Sequence, residues 1–172
     1  MTQWTVSVEA VVGRLADNPG RIDLLMSAAP REARRRRPTK DAWSALETFA
    51  HVRACADVWG GHIRSIVEAG PSSLRAGDPR AWAADHGYAA ADFAEAFPTY
   101  RRDRAELLTT LRSLGEEDWA RSALMVGASS RVERSVLWHA DHIARHEDQH
   151  VIQIRRTLVA GSGAGESRRR RR

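Results

Sequence analysis

Four of the chain's seven histidines fall within twelve residues, in the stretch WHADHIARHEDQHVIQI from Trp138 to Ile154. His139, His142, His146 and His150 stand three, four and four residues apart. On a helix each of those steps returns close to a whole turn, so the four rings share one face. Two imidazoles one turn apart can aim their lone pairs at a common point and bind a metal ion. With a third nitrogen and an open position, such a site lowers the pKa of a bound water or of a substrate thiol and yields a nucleophile near neutral pH.

The third nitrogen has to come from upstream. His51 lies near the edge of the apolar stripe of an earlier helical segment, and in a bundle that segment can face the histidine row. The set His51, His146 and His150 is favoured. Spacing alone leaves His142 with His146 as an equally good pair, and His139 with His142 as nearly so. His146, Glu147 and His150 also spell HExxH, the zinc-protease helix motif in which the glutamate is the general base. The context argues against a protease. No histidine follows His150, the extended motif would need histidine where Arg156 stands, and the one later acid is Glu166 in the tail. Cys55 sits one turn after His51 and can approach the site, though burial by packing is its expected role. His62 and His86 read as a helix-flank residue and a loop residue.

Four helical patterns position these residues. Val8 to Ser27 carries an apolar stripe that Asn18-Pro19-Gly20 is expected to break or kink. Ala29 to Lys40 reads as a connection. A long helix then opens on Ser44 and Glu47, a capping-box spacing, and closes at Gly70-Pro71. Its stripe is Phe49, Val52, Ala56, Trp59, Ile63 and Val67. Pro71 to His86 marks a longer crossover, and a third helical region runs from Phe93 to Leu114, with Pro98 as a kink or a fresh start. Glu116 to Ser129 reads as a loop. Ser130 and Glu133 repeat the capping-box spacing and are expected to start the last helix, which runs to about Ala160. With no convincing period-2 strand and no repeat, the fold class is all-α: a four-helix bundle domain over residues 1–160 and a disordered arginine-rich tail over 161–172.

The length of 172 residues suits one domain with a real core. A single cysteine excludes an intrachain disulfide and suits a reducing cytoplasm. Neither a signal sequence nor a membrane span is expected. The net charge of +5 at first suggests a nucleic-acid partner, yet the tail holds five arginines and one glutamate, which leaves the body nearly neutral. Nucleic acid is therefore not the expected partner, and the basic run Arg34 to Arg37 reads as a solvated loop.

WSALETFAHV around His51, GEEDWARSA around Trp119, and HIARHEDQHVIQI around His146, His150 and Gln153 together resemble the DinB-like superfamily of bacterial four-helix-bundle proteins. The resemblance covers about residues 20 to 160. It implies a divalent ion, zinc or nickel, held by His51, His146 and His150, with His142 in a supporting or packing role and His139 near the start of the helix. It also implies a small-molecule substrate and, as in the thiol-dependent S-transferases of that superfamily, a low-molecular-weight thiol as co-substrate. Glu147 is then the candidate base. The alternative expectation is a non-catalytic homodimer whose metal site is structural or vestigial.

Overall fold

The computed structural model describes the backbone of residues 6–69 and 72–169, and side chains up to residue 160. Four long helices make the bundle: α1 (Val8–Ser27), α3 (Ala45–Ala69), α5 (Phe93–Arg112) and α7 (Val136–Arg169). Three shorter helices, α2 (Arg31–Arg35), α4 (Pro79–Asp85) and α6 (Glu116–Ala120), lie in the connections. α7 packs on both α3 and α1, and α5 closes the bundle against α1 and α3.

The capping box at the start of α3 forms as its spacing requires. Ser44 donates its backbone N–H to Glu47 Oε2 at 2.8 Å, and Ser44 Oγ accepts from the Glu47 N–H at 3.2 Å. The expected stop at Gly70-Pro71 lies outside the described residues. α1 differs from expectation, because it runs unbroken through Pro19. A proline frees the carbonyl four residues back. Here that carbonyl belongs to Leu15, and it accepts from the buried guanidinium of Arg104 at 3.2 Å. α5 likewise passes through Pro98 without interruption.

The connections of the helical bundle also carry a small sheet that the sequence did not lead us to expect. β1 (Ser73–Arg75), β2 (Ser122–Val126) and β3 (Arg131–Ser135) form a three-stranded sheet in the order β1-β2-β3. β1 pairs parallel to β2, and β2 pairs antiparallel to β3. Ser130 and Glu133 therefore belong to a hairpin and cap nothing; Glu133 accepts from Ser122 Oγ across it. The cap of α7 is Ser135, whose Oγ accepts from the Trp138 N–H at 3.1 Å. Only β2 buries alternate residues, Ala123 and Met125, while β3 is short and charged, so the period-2 signal is weak. α7 is traced to Arg169, beyond the end expected at Ala160. The side chains of 161–172 and the backbone of 170–172, where the disordered tail was expected, lie outside the described residues.

The core is divided. One apolar cluster joins Val11, Leu15, Ile63, Ile66, Leu111 and Ile143. A second joins Ile22, Met26, Phe49, Phe93, Tyr100 and Ile154. Asn18, Cys55, Arg104, His146 and Glu147 fall between the two in sequence on their respective helices, so a polar layer crosses the middle of the bundle.

Candidate metal centre

α3 and α7 bring His51, His146 and His150 together. His146 is the hub: its Nε2 is 3.3 Å from His51 Nε2 and 3.1 Å from His150 Nε2. A ring nitrogen carries one proton or one lone pair in its plane, so it cannot serve two imidazole neighbours at once. A cation bound by these nitrogens would relieve that conflict. The edges of a tetrahedral site with metal–nitrogen bonds of 2.0–2.1 Å are about 3.3–3.4 Å long, close to the two separations from His146.

The surroundings prepare these rings to act as neutral donors. Burial first, then the neighbouring His150, His51 and His142 rings, holds His146 down to about 3. Burial, then the charges of His150 and Arg80, lowers His51 to about 4. His150 is also lowered, chiefly by burial. His150 Nδ1 lies 2.8 Å from Gln153 Oε1. The amide oxygen can only accept, so Nδ1 carries the proton and Nε2 is left with its lone pair facing the cluster. His146 Nδ1 is buried without a hydrogen-bond partner.

Cys55 joins the group. Its Sγ is 3.5 Å from His51 Nε2 and 3.9 Å from both His51 Nδ1 and His146 Nε2. The donor atoms of His51, Cys55 and His146 all lie within 4.8 Å of one another and could hold a metal ion. Burial, with the Glu147 and Asp78 charges, pushes the thiol up to about 12, so it is protonated unless a cation binds it. The HxxxC spacing His51–Cys55 was the signal for this neighbour.

Tryptophans wall the site; Trp59 belongs to the apolar stripe of α3, whereas no spacing rule pointed to Trp43. Trp43 lies 5.0 Å from His51 and Trp59 lies 4.9 Å from His146, centroid to centroid. His142 is held between Trp59 and Trp138 at 4.4 and 4.7 Å, away from the nitrogen cluster. His139, in the first turn of α7, is 2 % exposed; its ring lies 5.1 Å from His62, and neither of its nitrogens has a partner. His86 stacks on Trp82 at 4.2 Å.

Glu147 occupies a different place from the base expected of HExxH. Its Oε1 accepts from the Tyr100 hydroxyl at 3.0 Å and from Arg104, and its Oε2 accepts from Arg104 at 2.8 Å and from Asn18 at 3.4 Å. Glu147 is 1 % exposed and Arg104 3 %. Burial works to lower the Arg104 pKa, but the charges of Glu147 and Tyr100 and the hydrogen bond to Glu147 together outweigh it and raise the pKa above the ordinary value. Neighbouring residues on α7 thus divide the labour, His146 facing α3 and Glu147 facing α1 and α5. Three residues of the basic run are likewise committed: Arg34 and Arg35, with Arg31, surround Asp92 at 3.8, 3.9 and 2.7 Å, and Arg37 pairs with Glu47.

Among described residues, no helix is long and apolar enough to cross a membrane. No curated protein matches the chain. Its fold is similar to that of YfiT from Bacillus subtilis, described as a probable metal-dependent hydrolase with an unusual four-helix bundle topology. The TM-score is 0.72 at 12 % identity, over 92 % of this chain and 93 % of that one. The family model of the DinB superfamily matches residues 14–154, which takes in all three imidazoles and Cys55, and the chain belongs to that superfamily.

Proposed function

We propose that this protein is a metal-dependent enzyme, a hydrolase or thiol S-transferase that acts on a small molecule, with its ion on His51, His146 and His150. The approach of His51 Nε2 and His150 Nε2 to His146 Nε2, at 3.3 and 3.1 Å, carries this reading. The description of YfiT as a probable metal-dependent hydrolase agrees with it. A divalent ion bound there, zinc or nickel by its nitrogen-rich donors, supplies a Lewis acid that lowers the pKa of a water or a low-molecular-weight thiol.

The chain's own residues do the rest. Gln153 fixes the His150 tautomer, and Trp43 and Trp59 pack against His51 and His146. Glu147 holds α7 in rotation through Arg104 and Tyr100, so we assign it a structural role and not that of the general base. The test is turnover by the zinc- or nickel-loaded chain of activated esters, and of an electrophile with a small thiol. Turnover lost with chelator and in His51→Ala supports the reading; turnover that survives either treatment overturns it.

A second reading is a non-catalytic homodimer with a structural ion. Cys55 favours it, because a fourth protein donor can close the coordination sphere. So does an apolar groove with Leu24 and Val159, 74 % and 68 % exposed, beside Leu25 and Leu158, a surface suited to a second copy of the chain. Under this reading the solution mass is that of a dimer, Leu24→Asp makes it monomeric, and chelator lowers the melting temperature of a protein that turns nothing over.

A further inference from the structure

The sulfur of Cys55 lies within reach of an ion shared with His51 and His146. Zinc in a tetrahedral site, with bonds of about 2.3 Å to sulfur and 2.0–2.1 Å to nitrogen, sets sulfur–nitrogen edges of about 3.5–3.6 Å. Cys55 Sγ is 3.5 Å from His51 Nε2 and 3.9 Å from His146 Nε2. Its residue is 1 % exposed, and among the described residues its polar contacts are these two imidazoles alone. The side chain has one torsion to adjust and sits on the same rigid helix turn as His51, so little reorganisation separates this arrangement from a bond to the ion.

We propose that Cys55 binds the ion as a thiolate beside His51, His146 and His150, making a three-nitrogen, one-sulfur centre that peroxide empties of its metal. The proposal rests on the metal reading given above. A thiolate donor selects zinc, cobalt or nickel over magnesium and manganese. It also fills the fourth position, so that a substrate enters as a fifth ligand.

The same sulfur is the point of oxidation. The thiolate attacks one oxygen of hydrogen peroxide, a sulfur–oxygen bond forms, and the oxygen–oxygen bond breaks with hydroxide leaving. Sulfur is oxidised by two electrons to the sulfenic acid and peroxide is reduced, and the weakened donor lets the ion go. The three imidazoles are only partly buried, which leaves a way in for a molecule of that size. Cys55 is the chain's one cysteine, so no second thiol within the chain can close a disulfide and restoration requires an external thiol.

One cysteine also makes the experiment unambiguous. Loaded with cobalt(II), the full-length chain is expected to show an intense near-ultraviolet sulfur-to-cobalt charge-transfer band. Cys55→Ser and Cys55→Ala lose that band and keep the visible cobalt bands of the imidazole ligands. Loaded with zinc, the unaltered chain releases its ion to a chromogenic chelator on addition of hydrogen peroxide and rebinds it after a small thiol; Cys55→Ser keeps its zinc. Visible cobalt bands without the charge-transfer band, or equal zinc release by the unaltered chain and Cys55→Ser, overturn the proposal and leave the imidazole site standing. Failure of the unaltered chain to bind either ion overturns the metal reading and this proposal with it. Should both variants fail to fold, X-ray absorption on the unaltered zinc form decides: a sulfur scatterer at about 2.3 Å supports the proposal, and nitrogen or oxygen scatterers alone overturn it.

Discussion

At the scale of single residues, the site depends on which ring nitrogen holds a proton. Gln153 settles this for His150, because its amide oxygen, 2.8 Å from Nδ1, can only accept. Partners of this kind raise metal affinity by orienting the ligand, and their loss typically costs about 10–100-fold. Gln153→Ala is therefore expected to weaken zinc binding by about that factor in a competition titration with a chelator, with the fold intact. Unchanged affinity would show that the hydrogen bond has no part in holding metal. His146 Nδ1 has no such partner among the described residues, and Trp43 and Trp59 pack against His51 and His146.

At the scale of elements, α7 serves two sites with adjacent residues, and the buried pair on its other face is what fixes its rotation. Removal of one member of a buried ion pair leaves the other charge uncompensated and costs about 3–5 kcal/mol. Glu147→Ala is expected to destabilise the chain by about that much in denaturant melts, since Arg104 would stay buried without its carboxylate. A loss near zero would contradict the structural role of Glu147. The histidine row and the HxxxH pair were legible in the sequence because helical period alone puts residues four apart on one face. The capping box of α3 was legible because it is local. Arg104 and Asn18 were not, since their partners lie 43 and 129 residues away and no periodicity marks a buried ion pair. Nor was the sheet: β1 pairs with a strand about fifty residues later, and the charged β3 hides the alternation on which a strand is recognised. Cys55 was seen as a neighbour of His51, yet whether it packs or points inward depends on the facing helix.

At the scale of the molecule, the buried histidines make stability depend on pH. Burial, then the charges of His62, His142 and Arg134, holds His139 at about 3 in the folded chain. In the unfolded chain its pKa is about 6.5. Below that value the unfolded chain binds a proton that the folded one does not. The stability this histidine contributes is therefore fully present above about pH 6.5 and is lost as pH falls towards the folded value, at up to about 1.4 kcal/mol per pH unit. His51 and His146 act in the same direction. With chelator present, urea melts at about pH 7 and about pH 5 are expected to show a clear fall in midpoint; equal midpoints would mean that these rings are not buried as neutral groups. The central claim, that His51, His146 and His150 form one metal centre in the middle of the bundle, is met most directly by anomalous diffraction from crystals of the zinc-loaded protein. One anomalous peak per chain is expected at bonding distance, about 2.0–2.1 Å, from the three Nε2 atoms, and is absent in His51→Ala. A peak elsewhere, or the same peak in His51→Ala, would contradict it.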